Sequence, residues 1–336
     1  MDSFTQIVLG AAVGEAVAGK KIGNKALVFG AIAGTIPDLD VFIGDAMSTV
    51  GALDFHRGFT HSIVFALIFS PLFGWLLSKI YPSSAARFKD WTLLFFLDFF
   101  THALLDCFTT WGTQLFWPFD YRIAFKSIFV IDPLYTLPLT ICLVWLMFLP
   151  RTSLRRQRLN TIGLVISTLY LLFTVSIKQH INQVFENSFA SQELKIDRYD
   201  TRPAPLNTVL WTSNAESSEG YHIGYYSLLD DDQLIDYFYF PKNHELLTPY
   251  LHSTDVMRLI ELTNGWYALK PYKQGLIFND LRFGQRTAWL DKEGDFVFSY
   301  YIYEQNGEVK IEEVEKDLEE GKAIAGALWE RIKGIK

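Results

Sequence analysis

The chain has 336 residues, half of them hydrophobic, with a mean hydropathy of +0.14 and a formal net charge of −7. The acidic balance argues against nucleic acid as a partner, since phosphate binding wants a basic face. The two cysteines, Cys107 and Cys142, lack the spacing of a disulfide framework or a zinc knuckle.

Composition changes along the chain. Up to about residue 178 long apolar runs dominate, and beyond it the sequence is charged and rich in aromatics. The first part reads as an α-helical integral membrane domain, residues 1–178. The second, residues 179–336, reads as a soluble α+β domain of ordinary size.

Six apolar segments cover residues 4–19, 26–44, 62–81, 91–108, 134–149 and 159–177. A membrane-spanning helix needs about 20 residues. The first segment is short and rich in Gly and Ala, and the second is interrupted by Pro37-Asp38. These two are expected to form a tight, broken hairpin turning near Ile22–Gly23, in which small residues such as Gly10, Gly14, Gly30 and Gly34 allow close approach of the backbones. The expected total is about six helices.

Loop charge sets orientation. One set of loops carries Lys20, Lys21, Lys25, Lys79, Arg87, Lys89, Arg151, Arg155, Arg156 and Arg158; the alternate set carries Arg57, Arg122 and Lys126. The first set is expected in the cytoplasm. The ends of the segments bearing Asp38, Asp40, His61, His102 and Asp106 then face outward, and the C-terminal domain is extracytoplasmic.

Ionisable groups at bilayer depth cost about 2.5–3.5 kcal/mol each on insertion scales, so they are rarely idle. Three motifs carry them. In Ile36-Pro37-Asp38-Leu39-Asp40 the proline weakens the helix, and two carboxylates emerge at its broken end. In Asp54-Phe55-His56-Arg57-Gly58-Phe59-Thr60-His61-Ser62, Gly58 is the expected turn between two imidazoles and Thr60 a candidate cap for the next helix. Arg57 suits bidentate grip of an anionic group. In the third motif His102 and Asp106 lie four apart on one helix face, with Asp98 one turn deeper. His with Asp is the usual ligand set of a hydrolytic metal centre. On hairpin geometry Gln6 lies level with Asp38–Asp40, and Glu15 lies about 13 Å deeper along the axis. Thr109–Phe119 is aromatic, suited to the headgroup zone, and Asp132 is expected to cap the fifth segment.

Together, Pro37-Asp38-Leu39-Asp40, His56-Arg57-Gly58-Phe59-Thr60-His61-Ser62, His102 with Asp106, and Trp117-Pro118 resemble the YdjM-like family of membrane-bound, metal-dependent hydrolases, also described as LexA-regulated inner-membrane hydrolases. The resemblance covers roughly residues 1–135. It implies a divalent-metal hydrolase in a bacterial plasma membrane, with Asp38, Asp40, His56, His61, His102 and Asp106 as ligands. Many members carry a His near the N-terminus where this chain has Gln6, with Glu15 a conceivable substitute; Gln6 and Glu15 are therefore additional candidates, and Asp98 is another from its place on the His102–Asp106 stripe, behind the ligands rather than among them.

In the soluble part, residues 208–212, 221–228, 235–240, 266–269, 276–283, 295–304 and 309–314 read as strands, the last two joined by Asn306-Gly307. Residues 244–262 and 316–332 read as helices. No catalytic constellation appears among them.

The reading is a hydrolase in which one or two divalent ions, zinc by preference, activate water against a lipid or lipid-linked (phospho)ester, with Arg57 and Asp40 acting in catalysis and membrane lipids as surroundings. The alternatives are a metal or proton transporter, and a non-catalytic anchor whose soluble domain binds a partner.

Overall fold

The computed structural model describes residues 1–286, 288, 294–315 and 321–335. The chain divides into two compact units. One contains residues 1–46, 55–176 and 205–207; the other contains residues 47–54, 177–204 and 208–336.

In the first unit, α1 (Ser3–Ile22) and α2 (Asn24–Thr35) form the expected hairpin, turning at Gly23 with φ +61°. Their axes approach to backbone contact. A Cβ placed on Gly10 would collide with the Gly30 carbonyl oxygen, and one on Gly30 would collide with that of Gly10. After α2 the chain tightens into a 3₁₀ turn, Ile36–Asp40, with Pro37 in its first turn, and continues as α3 (Val41–Gly44). The short α4 (Thr49–Phe55) follows.

Next come α5 (Ile63–Ile80) and α6 (Phe88–Asp106), which pack antiparallel through a seam of aromatic rings. Phe73 stacks on Phe95 at 4.9 Å between centroids, and Phe65 meets Phe99 at 5.1 Å. Ser62, rather than Thr60, caps α5 by accepting from the Phe65 amide at 3.0 Å. Asp132 caps α7 (Pro133–Leu146) as expected. The long α8 (Leu154–Ser191) begins in this unit and ends in the other.

Three of these stretches are long and apolar enough to cross a membrane: Asn24–Gly44, Ile63–Ile80 and Leu154–Ser191; Pro133–Leu146 is a shorter apolar helix. The expected count of about six crossings is thus carried by length and hydropathy for three. The helices α1 and α6 reach spanning length but hold Asp, Glu and Lys that lower their hydropathy.

Among the described residues, the second unit holds two four-stranded antiparallel sheets in simple sequential order. The first contains β1 (Arg198–Pro203), β2 (Leu210–Glu216), β3 (Gly220–Ser227) and β4 (Tyr237–Pro241). The second contains β5 (Tyr267–Tyr272), β6 (Gly275–Gln285), β7 (Phe296–Gln305) and β8 (Glu308–Glu313). Leu210, Tyr221 and Ile223 of one sheet share a core with Ala268, Leu281 and Phe296 of the other. The Asn306-Gly307 hairpin is present, with both residues at positive φ. The helix expected over residues 244–262 is instead a 3₁₀ segment, His244–Tyr250, and then α9 (Thr254–Leu262). Pro249 interrupts the hydrogen-bond ladder, and Ser253 is extended. Of the expected terminal helix, α10 (Gly321–Ile332) is seen, and residues 316–320 lie outside the described residues.

The backbone contact in the hairpin leaves no room for a side chain. Gly10→Val should destabilise the protein by at least about 1–3 kcal/mol, the usual cost of overpacking. Gly326→Ala, in α10 with open space around it, should be neutral or stabilising by about 0.5–1 kcal/mol. Thermal unfolding in detergent checks both.

Candidate metal centre

Three separate stretches deliver side chains to one place. The 3₁₀ turn after α2 carries Asp38 and Asp40, the turn before α5 carries His61, and the end of α6 carries His102 and Asp106. Asp40, His61, His102 and Asp106 are all essentially inaccessible to solvent.

The last carbonyls of a helix lack intrahelical partners. Gly34, in the last turn of α2, solves this with a side chain: its oxygen accepts from His102 Nδ1 at 2.7 Å. A carbonyl only accepts, so Nδ1 carries the proton and Nε2 presents its lone pair. The same logic fixes His61. The Thr60 hydroxyl donates to Asp40 Oδ2 at 2.8 Å, so its oxygen is left to accept from His61 Nδ1 at 3.0 Å. His61 also presents Nε2 as a lone pair. Burial pushes its imidazole down to about 4, so the ring is neutral at ordinary pH.

These two Nε2 atoms lie 3.1 Å apart. Asp38 Oδ1 is 3.2 Å from the His61 nitrogen and 3.4 Å from that of His102; Asp106 Oδ2 is 3.5 Å and 3.8 Å away. An ion with four tetrahedral ligands at about 2.0–2.2 Å sets neighbouring ligand atoms about 3.3–3.6 Å apart. The spacing fits. Asp106 Oδ2 also has no hydrogen-bond donor among the described residues; Arg57 Nε is 3.1 Å away but misaligned. Asp38, His61, His102 and Asp106 therefore form a group that could hold a metal ion.

Around this group the remaining candidates take distinct places. Asp40 gathers the loop before α5: its oxygens accept from His56 Nδ1 at 2.9 Å, the Arg57 amide at 3.1 Å and Thr60, and lie 3.5 Å from His61 Nδ1. His56 thus faces Asp40, with its ring centroid 5.8 Å from that of His61. The turn between the imidazoles falls on Arg57, at φ +58°, rather than on Gly58. Its guanidinium donates to Thr109 Oγ1 at 2.8 Å. The Gln6 amide reaches Asp106 Oδ1 at 3.0 Å, level with the group as hairpin geometry predicts, and the Met1 amino group pairs with the same oxygen.

Glu15 is not brought to the group. It lies buried in the fork of Arg156, which donates Nε at 2.7 Å and Nη2 at 2.6 Å; the guanidinium answers the cost of the buried carboxylate. Asp98 is buried one turn below His102, and neither of its oxygens has a hydrogen-bond partner among the described residues. Sequence reasoning missed Thr60 and the Gly34 carbonyl as orienting groups. The signal for Thr60 was its position directly before a candidate ligand.

Residues 1–181 match the family model described as YdjM inner membrane protein. A Bacillus subtilis (strain 168) protein described as "Uncharacterized protein YfhP" is 32% identical over 142 residues, which is 40% of this chain and 42% of that protein. The chain therefore covers less than half the length of that curated relative. No solved structure matches.

Outer groups that fix ligand tautomers typically contribute about 10–100-fold in metal affinity. Thr60→Val, which removes the hydroxyl between Asp40 and His61, should weaken divalent-metal binding by about that factor. His61→Ala should remove it. Titration against a chromogenic chelator measures both.

Proposed function

We propose, for a chain that belongs to the YdjM inner membrane protein family, that it is a metal-dependent hydrolase working on a lipid or lipid-linked (phospho)ester at the outer membrane face. The observation that carries this reading is the convergence of two imidazole nitrogens and two carboxylate oxygens, from three distant stretches of sequence, on one buried point. Asp38, His61, His102 and Asp106 would hold one divalent cation, zinc by the donor set and spacing. When bound, such an ion supplies Lewis acidity and lowers the pKa of water toward ~7.

The chain's own residues do the rest. Asp40 holds the His56–His61 loop in register and keeps His61 in the ligating tautomer. His56 directs Nδ1 at Asp40, its side chain is a quarter exposed, and its Nε2 is left to give or take a proton at the scissile group. Arg57, beside Asp106, binds an anionic oxygen of the substrate and steadies charge that develops on it.

Two observations support a lipid-like substrate. Leu39 and Phe42, beside the two carboxylates in sequence, are exposed, as are Phe119, at the end of the aromatic stretch after α6, and Tyr121 just beyond it; Phe119 is 73% exposed. Apolar surface of this kind suits an acyl or isoprenoid chain. The excess of Lys and Arg in the first set of loops, at the ends of the segments away from the candidate site, supports an outward-facing site and an extracytoplasmic C-terminal domain.

Protein purified from metal-replete cells should carry close to one equivalent of zinc by elemental analysis. It should release phosphate or headgroup from a lipid phosphoester in mixed micelles, and lose that activity on chelation. Arg57→Gln should keep the metal and lose about 100-fold in kcat/KM, the scale of one charge-stabilising donor. Metal-free wild-type protein under replete conditions would contradict the proposal.

A further inference from the structure

Between α1 and the first turns of α8, wholly within the first unit, lies a cavity of about 270 Å³. Its α1 wall includes Glu15 and Lys20, and its α8 wall runs from Gln157 to Val165. Glu15 lies about 13 Å along α1 from Gln6 and the metal centre. The ion pair at this wall is complete. Arg156 holds Glu15 in its fork, and its remaining nitrogen donates to Asn24 Oδ1, Leu146 O and Leu149 O. The guanidinium needs no further anion.

Asn160 is not complete. It is 4% exposed, and its Nδ2 donates to Ala12 O at 2.9 Å. A carbonyl only accepts, so the amide cannot be turned round, and Oδ1 is the atom left over. No described residue donates to it. A buried acceptor without a donor is costly and points to a ligand that brings one. The Thr161 hydroxyl is spent on Gln157 O at 3.0 Å, so it too can only accept. Lys20 makes no ion pair among the described residues. The α8 wall is graded: Gln157 at one end, Asn160 and Thr161 a turn deeper, and Leu164 and Val165 two turns on, about 10–12 Å along the axis. Ala16, Thr161 and Val165 are exposed, so the cavity opens along the sides of the helices, and α8 is long and apolar enough to cross a membrane. A ligand entering sideways comes from the bilayer.

We propose that this cavity binds a single-chain anionic phospholipid with a free hydroxyl between phosphate and chain, a lipid of the lysophosphatidate type. Lys20 takes the phosphate, the hydroxyl donates to Asn160 Oδ1, and the acyl chain runs along Leu164 and Val165. A two-chain phosphatidate carries an ester oxygen in place of that hydroxyl, so acceptor would face acceptor. The space lies just below the range of about 300–1,000 Å³ usual for drug-sized ligands, which suits one chain. The site stands apart from the metal centre and does not depend on that reading.

The test uses the full-length protein, treated with chelator, in phosphatidylcholine nanodiscs. The probe is 1-acyl lysophosphatidic acid with a photoreactive diazirine in its chain. Unlabelled lysophosphatidic acid, phosphatidic acid and glycerol 3-phosphate compete, and crosslinks are mapped by mass spectrometry. The chain should crosslink at Leu164 and Val165. Lysophosphatidic acid should displace the probe about 10-fold better than phosphatidic acid, the scale of one hydrogen bond to an otherwise unpaired buried acceptor, and glycerol 3-phosphate should not displace it. Asn160→Leu should abolish the preference for the free hydroxyl. Lys20→Gln, at an exposed position that leaves folding intact, should weaken binding about 2–5-fold, and His61→Ala should leave the crosslink unchanged. Equal displacement by phosphatidic acid, wild-type crosslinking in Lys20→Gln, or crosslinks confined to the metal-centre stretches would overturn the proposal. Displacement by glycerol 3-phosphate would also overturn it, by marking a site for soluble anions.

Discussion

The site is governed by one electrostatic constraint: unshared electron pairs facing each other in a largely buried space. The Gly34 carbonyl and the Thr60 hydroxyl put the ring protons of His102 and His61 on Nδ1, so two Nε2 lone pairs meet at 3.1 Å with two carboxylate oxygens beside them. Without a cation this arrangement is repulsive, and burial of three of the four side chains weakens the screening. Arg57 and the Met1 amino group relieve part of the charge on Asp106, but neither stands between the two rings. A divalent ion at the common centre would take up these four lone pairs, one from each residue, as its ligands.

The hairpin of α1 and α2 makes this geometry possible. Contact between the Gly10 and Gly30 backbones brings α1 and α2 together as one slab. That slab places Gln6 against Asp106 and the Gly34 carbonyl against His102 on α6. Small residues that carry no polar side chain thus help determine which nitrogen of His102 carries its proton. At the other end of the same hairpin, Glu15 and Arg156 tie α1 to the start of α8. The two buried ionic clusters have different characters: the Glu15–Arg156 pair is complete in itself, while the Asp–His group has acceptors to spare.

Much of this is legible in the sequence because the chemistry is expensive. Carboxylates and imidazoles in apolar stretches stand out, and Pro37 marks where the helix must break. Hairpin geometry alone places Gln6 level with the site and Glu15 away from it. The hidden part depends on hydrogen-bond direction, which no spacing rule encodes. Asp38 and Asp40 look equivalent in the motif, yet Asp38 points to the two rings while Asp40 turns back to bind His56, the Arg57 amide and Thr60. Conformational freedom points to Gly58 as the turn residue, but tertiary bonds hold Arg57 in the left-handed region instead. In the second unit, the polar strand β1 (Arg-Tyr-Asp-Thr-Arg-Pro) lacks the apolar alternation that marks strands and is recognisable only through its pairing with β2.

The central claim is that two imidazoles and two carboxylates share one ion. X-ray absorption at the zinc edge of the loaded protein tests it most directly. The account predicts four nitrogen or oxygen neighbours at about 2.0–2.1 Å, with the outer-shell scattering of two histidine rings, one of which disappears in His102→Ala. A spectrum without imidazole scattering, or one unchanged by that substitution, would contradict it.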